Sequence, residues 1–245
     1  MRPDARPDAG RSDPAAGRAP TTHAAAADGT AVLFDLDGTL VATRRLYLEA
    51  YRRALTPFLG YAPDDPEILA LKPRAEIRLL RARVGEHRIA ACLEEFYRHY
   101  EALHDTLFGG VYPGVHELLE TLRAAGVRTG IVTGKSRRAW EITAARSGLG
   151  QFDVVILDDD VTAPKPDPEG IRLALARLRA DPAHTIYAGD SIADIHAARA
   201  AGARPAAALW AKRDDERDGF AARAAAEGAA LLETPADLAR LLLAP

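Results

Sequence analysis

Asp35 and Asp37 stand two residues apart at the end of an apolar run, TAVLFDLDG. Far downstream come a hydroxyl, Thr133 in IVTGKS, and an ammonium, Lys165 in APKPDP. Two more acids, Asp190 and Asp194, lie in GDSIAD. Carboxylates converging on one rim repel one another unless a cation sits among them, and an all-oxygen donor set suits a hard ion such as Mg²⁺. Thr133, Lys165 and the backbone N–H groups of Gly38 and Gly134 are the donors that a phosphate group requires. A Mg²⁺ site beside an anion pocket is equipment for phosphoryl transfer. Taken singly, each feature has a plainer explanation. Asp-x-Asp can be a turn, Asp190 and Asp194 can cap a helix, and a lysine between prolines can be solvated loop. Their joint occurrence, each at the end of a strand-like run, favours the chemical explanation.

Those run ends need a scaffold. TAVLFDLD is short, apolar and rich in β-formers, the pattern of a buried parallel strand. After Tyr112-Pro113-Gly114 the chain alternates. Strands are expected at 127–132, 154–157, 185–188, 205–209 and 229–232. Helices are expected at 115–125, 136–147, 168–179, 191–201, 220–227 and 235–243. This repetition predicts an α/β fold, a doubly wound, Rossmann-like parallel sheet whose ligand site lies at the carboxyl ends of the strands. On a helix starting near Ser191, Asp194 falls in the first turn and can face back toward Asp190.

Residues 43–112 differ in kind. LYLEAYRRALTPFLG, PRAEIRLLRARVG and EHRIAACLEEFYRHYEALHDTLF carry apolar residues at helical spacing and no strand-like segment. They predict an all-helical insert of about four helices following the first strand. The catalytic core is then 30–42 plus 113–245. Residues 1–29 are Ala, Pro, Arg, Asp and Gly with no large apolar residue after Met1, which predicts a disordered tail.

The 245 residues are long enough to bury a core without disulfides or a structural metal. Thirty-two Lys and Arg against 35 Asp and Glu leave a charge of −3, which argues against a general nucleic-acid binder. The single cysteine, Cys92, excludes an intramolecular disulfide and reads as a small buried hydrophobe. No apolar run approaches a membrane span. The expectation is a cytoplasmic monomer or homodimer with no membrane or nucleic-acid partner.

The set DLDGTLV, IVTGK, APKPDP and GDSIAD resembles the four motifs of the haloacid dehalogenase superfamily of phosphatases. That resemblance implies that Asp35 is a nucleophile forming an aspartyl-phosphate and that Asp37 is the acid and base. It implies that Thr133 and Lys165 hold the transferring phosphoryl group. It also implies that Mg²⁺ is bound by Asp35, the Asp37 backbone carbonyl and Asp190, with Asp194 acting through a bound water or by orienting Lys165. In this superfamily the dehalogenases and phosphonate hydrolases lack an acid at the Asp37 position, so Asp37 points to phosphate ester or anhydride hydrolysis. TLVAT departs from the more usual TLVDS or TLVDT.

The helical insert resembles the small cap of phosphoglycolate phosphatases, related pyrophosphatases and β-phosphoglucomutases. Hinges are expected near Val41–Arg44 and Phe108–Pro113. Arg74, in Lys72-Pro73-Arg74, and Lys135 are candidate substrate contacts, as is Arg44; solvated basic positions are the plain alternative. The substrate expected is a small phosphorylated metabolite, a phosphoglycolate-like monoester or pyrophosphate. A phosphosugar mutase would use the same core, and a non-catalytic regulatory module would not need the full residue set.

Overall fold

The computed structural model describes residues 29–71 and 75–243. The expectation of a disordered tail therefore falls, Gly29 apart, outside the described residues, as does Arg74 with Lys72 and Pro73. The Gly29 carbonyl accepts from the Asp181 N–H at 3.2 Å.

Six strands form one parallel sheet: β1 (Ala31–Phe34), β2 (Arg128–Val132), β3 (Val154–Ile156), β4 (Thr185–Gly189), β5 (Arg204–Ala208) and β6 (Ala230–Leu232). Their order is β3-β2-β1-β4-β5-β6. β1 is central and buried along its whole length. Val32 and Phe34 enter one core, shared with α5 (Val115–Ala124) and α10 (Pro235–Leu243). Ala31 and Leu33 enter the other, against α7 (Glu169–Leu178) and α8 (Ile192–Ala201). A strand covered on both faces must be apolar at every position, which is why β1 reads as a continuous run. The chain moves outward from β1 through β2 to β3 and then returns to β4 on the other side of β1, so the crevice of a doubly wound sheet opens between β1 and β4.

Between β1 and α5 lie α1 (Arg44–Leu59), α2 (Asp65–Ala70), α3 (Glu76–Val84) and α4 (Ile89–Leu107). They share a core that includes Leu46, Tyr51, Leu55, Leu80 and Phe96, and this core continues onto Ala139 and Ile142 of α6 (Arg137–Ser147). Cys92 is buried within it. The two chain crossings into this helical unit pair with each other. The Ala42 N–H donates to the Gly110 carbonyl at 2.9 Å, and the Gly109 N–H to the Ala42 carbonyl at 2.8 Å. A Cβ on Gly109 would lie 2.8 Å from that of Ala42, so this approach of two backbones requires glycine.

One helix differs from expectation. α9 (Asp214–Ala226) begins at Asp214 rather than Phe220. Its first turn carries Asp214, Asp215 and Glu216, which complement the helix dipole, while only Phe220 and Ala224 are buried. A helix with so narrow a buried face shows little periodicity in sequence. Among the described residues no helix is long and apolar enough to cross a membrane.

Candidate active site

The register of β1 sets the rim. Phe34 pairs with Ile131 on one side and Ala188 on the other, so Asp35 comes level with Val132 and Gly189, and Thr133 and Asp190 follow one residue further along. The Asp35 N–H donates to the Ala188 carbonyl at 2.9 Å, and the Thr133 N–H to Ile156 at 3.0 Å. These bonds tie both residues to neighbouring strands while their side chains face the opening. Lys165 arrives from the segment beyond a 3₁₀ turn at Asp158–Asp160. Its ammonium donates to Asp35 Oδ1 at 2.9 Å, Asp194 Oδ1 at 2.6 Å and the Tyr187 hydroxyl at 2.8 Å. Asp194 also serves its own helix: its Oδ2 accepts from the Ser191 N–H at 3.0 Å and from Ser191 Oγ at 2.6 Å, completing a capping box. The capping role and the site role are carried by different oxygens of one carboxylate.

Asp35, Asp190 and Asp194 each place a carboxylate oxygen within 4.8 Å of the others. Burial raises the Asp35 pKa to about 7 against the pull of Lys165, and Asp194 and Asp190 add to the rise. Burial also raises Asp190, although Lys212 lies 2.8 Å from its Oδ2. For Asp194 burial acts the same way, but Lys165 and Ser191 outweigh it and hold the carboxyl below its ordinary range. The rim thus carries more negative charge than its lysines neutralise comfortably, and a hard cation relieves that. Asp194 has its oxygens occupied by Lys165 and Ser191, which leaves Asp35 and Asp190 as the carboxylates fit to hold such an ion. Gly38 supports this. With φ at +78° it passes so close to Asp190 that a Cβ would meet Oδ2 at 2.5 Å. The sequence offered its N–H as a phosphate donor. The Gly38 N–H is used inside its own loop, donating to the Val41 carbonyl at 2.9 Å.

Asp37 is held at both oxygens. Thr43 Oγ1 donates to Oδ1 at 2.5 Å, and the Lys135 ammonium lies 3.0 Å from Oδ2. Thr43 precedes α1 at the N-cap position but makes no side-chain cap, because its hydroxyl is turned to Asp37. Lys135 is buried and also donates to the Tyr100 hydroxyl at 3.0 Å. Burial alone would lower its pKa, but Asp37, Tyr100 and Glu76 outweigh it and keep the ammonium charged. Glu76 in turn accepts the Ser136 N–H at 2.9 Å. The side chains open onto one cavity of about 440 Å³, which Gly134 and Thr133 also line. Arg44, Tyr47, Tyr51 and Tyr112 line it as well.

Sequence reasoning passed over Tyr187, Tyr100, Glu76, Thr43 and Lys212. Tyr187 left a trace: it is the one polar-tipped side chain in the strand core IYAG, and a buried tyrosine hydroxyl needs a partner. The others are brought in by tertiary packing of distant segments.

With these acids and Lys165 on the switch-point rim of a parallel sheet, and with the family's sequence profile matching residues 32–208, the chain belongs to the haloacid dehalogenase-like hydrolases. Over 186 residues the chain is 38% identical to pyrophosphatase PpaX of Bacillus velezensis, covering 74% of this chain and 83% of that one. Over 180 residues it is 38% identical to the plasmid phosphoglycolate phosphatase of Cupriavidus necator, covering 71% and 78%. Among solved structures it resembles CbbY of Rhodobacter sphaeroides in complex with phosphate, with a TM-score of 0.68, 27% identity and coverage of 85% and 95%. A hydrolase from Pseudomonas syringae superposes with a TM-score of 0.71 at 26% identity, covering 87% and 97%. The chain is a phosphatase of this family.

Proposed function

We propose that the protein is a Mg²⁺-dependent phosphatase that hydrolyses a small phosphorylated metabolite, a phosphoglycolate-like monoester or pyrophosphate, through a phosphorylated Asp35. The observation that carries this is the contact of Asp35 with Lys165 at the end of the central strand, inside a cluster with Asp190 and Asp194. Mg²⁺ held by Asp35, Asp190 and the Asp37 carbonyl would offset the repulsion between a carboxylate and a phosphate dianion. Lys165 does the same from the protein side, and with Thr133 it holds the non-bridging oxygens. An Asp35 oxygen attacks phosphorus, the bond to the leaving oxygen breaks, and Asp37 gives that oxygen its proton. Asp37, now ionised, takes a proton from water as the water oxygen attacks phosphorus. The bond to Asp35 breaks and inorganic phosphate leaves. Residues 43–112 act as a cap over this rim, with the paired crossings at Ala42 and Gly109 as hinge, and closure excludes bulk water.

The test is a screen of phosphorylated metabolites, including phosphoglycolate and pyrophosphate, with Mg²⁺ and with EDTA. Phosphate release that needs Mg²⁺ supports the proposal. Full turnover in EDTA contradicts the metal assignment, and return of an isomerised sugar phosphate with little phosphate release would make the protein a mutase.

A further inference from the structure

Lys135 has the position of a phosphate-binding cation but not the contacts of one. It follows Thr133 and Gly134 on the loop after β2 and lines the cavity. Yet only 4% of it is exposed, and its ammonium is engaged by Asp37 Oδ2 at 3.0 Å and the Tyr100 hydroxyl at 3.0 Å. It also lies 4.8 Å from the centre of the Tyr100 ring. Two of the three N–H donors of this ammonium are thus spent inside the protein, one of them on Asp37.

The loop that carries Lys135 is gripped from the helical unit at three points. Glu76, at the start of α3, accepts the Ser136 N–H at 2.9 Å. Tyr97 donates to Ser136 Oγ at 3.0 Å, and Tyr100, one turn along α4, shares a hydrogen bond with Thr143 of α6 at 2.9 Å while accepting from Lys135. The lysine thus stands between a side chain of the helical unit and the carboxylate read here as the proton donor. That carboxylate has its other oxygen on Thr43, at the entry to the same unit. A partner on each oxygen restrains the torsions of a short side chain, and alignment of this kind governs proton transfer to a leaving oxygen.

We infer that Lys135 is a positioning residue for Asp37 rather than a substrate-binding cation, and that Tyr100 holds it in place, so that Asp37 is aligned only while the helical unit is seated on the core. The inference rests on the reading of Asp37 as the proton donor, and its test is built to separate the two.

The test compares an alkyl phosphate, whose leaving oxygen needs a proton, with nitrophenyl phosphate, whose phenolate does not. Four variants are assayed: Asp37→Asn, Lys135→Met, Tyr100→Phe and Asp37→Asn/Lys135→Met. The readouts are kcat and KM for the alkyl ester and the rate of the nitrophenol burst. Lys135→Met should lower kcat for the alkyl phosphate about 10- to 100-fold, as misplacing a reacting group does, with KM and the burst rate changed no more than about 3-fold. In the Asp37→Asn background the same substitution should cost nothing further, because residues acting as one unit are non-additive. Tyr100→Phe removes one hydroxyl and should reproduce the pattern at about 3- to 10-fold. It decides the matter alone if Lys135→Met does not fold. Equal losses for both esters in either variant, a raised KM, or additivity with Asp37→Asn would overturn the inference and make Lys135 a substrate contact. If Asp37→Asn itself shows no dependence on the leaving group, the reading of Asp37 falls and the inference falls with it.

Discussion

Asp194 holds Lys165 at 2.6 Å, closer than Asp35 does at 2.9 Å. The acid at the start of α8 is therefore the main anchor of the ammonium that faces the nucleophile. Asp194→Asn keeps the size of the side chain but removes the charge. Lys165, whose side chain is only 15% exposed, then loses its strongest partner, and Ser191 loses a charged acceptor. The expected result is a kcat about 100-fold lower with a smaller change in KM, together with a loss of about 3 kcal/mol in unfolding free energy. Denaturant titration and steady-state kinetics measure both. Unchanged kinetics would show that Asp35 and Tyr187 position Lys165 without Asp194.

Gly38→Ala tests the acidic rim from the backbone side. The added methyl would sit 2.5 Å from Asp190 Oδ2 in a residue whose φ is +78°. Placing a non-glycine residue in that conformation costs about 1 to 2 kcal/mol. Asp190 must also move, so calorimetric Mg²⁺ affinity should fall about 10-fold or more, as disturbing the support of a metal ligand does. An unaltered affinity would remove Asp190 from the ion's ligands.

His104 supplies a pH dependence unrelated to the site chemistry. It lies near the C-terminal end of α4, with its ring 4.5 Å from that of Phe108, and its Nε2 is buried without a partner among the described residues. Burial, with Arg146 adding to it, lowers its pKa from 6.5 to about 4. As pH falls, the unfolded chain takes up this proton before the folded one does. The stability is complete above about 6.5 and is lost progressively toward about 4, a difference of about 2 kcal/mol by pH 5. Unfolding of His104→Gln at pH 8 and pH 5 should show a smaller drop by about that amount. An identical drop would place the acid sensitivity elsewhere.

The sequence made the strand ends legible because a central parallel strand must be apolar throughout and must stop where polar residues begin, as TAVLFDLDG does. That is how Asp35, Asp37, Thr133, Lys165, Asp190 and Asp194 could be picked out together. Strand order was another matter. Only the pairing of β1 with β4 puts Asp190 beside Asp35, and no local pattern specifies it. The direction of the Lys135 side chain was equally hidden, since Tyr100 and Glu76 reach it from segments folded over the sheet. The Gly38 N–H closes its own loop on the Val41 carbonyl, a contact that spacing alone does not reveal.

In the proposed cycle Asp35 carries the phosphoryl group between substrate and water. The most direct measurement is acid quenching of the enzyme during steady turnover of nitrophenyl phosphate, followed by mass spectrometry of the peptide bearing Asp35. A phosphoryl adduct is expected on that aspartate, more abundant in Asp37→Asn, where nothing deprotonates the attacking water, and absent in Asp35→Asn, which should also be inactive. Turnover at an undiminished rate by Asp35→Asn, or full activity with no adduct at Asp35 in either enzyme, would contradict it.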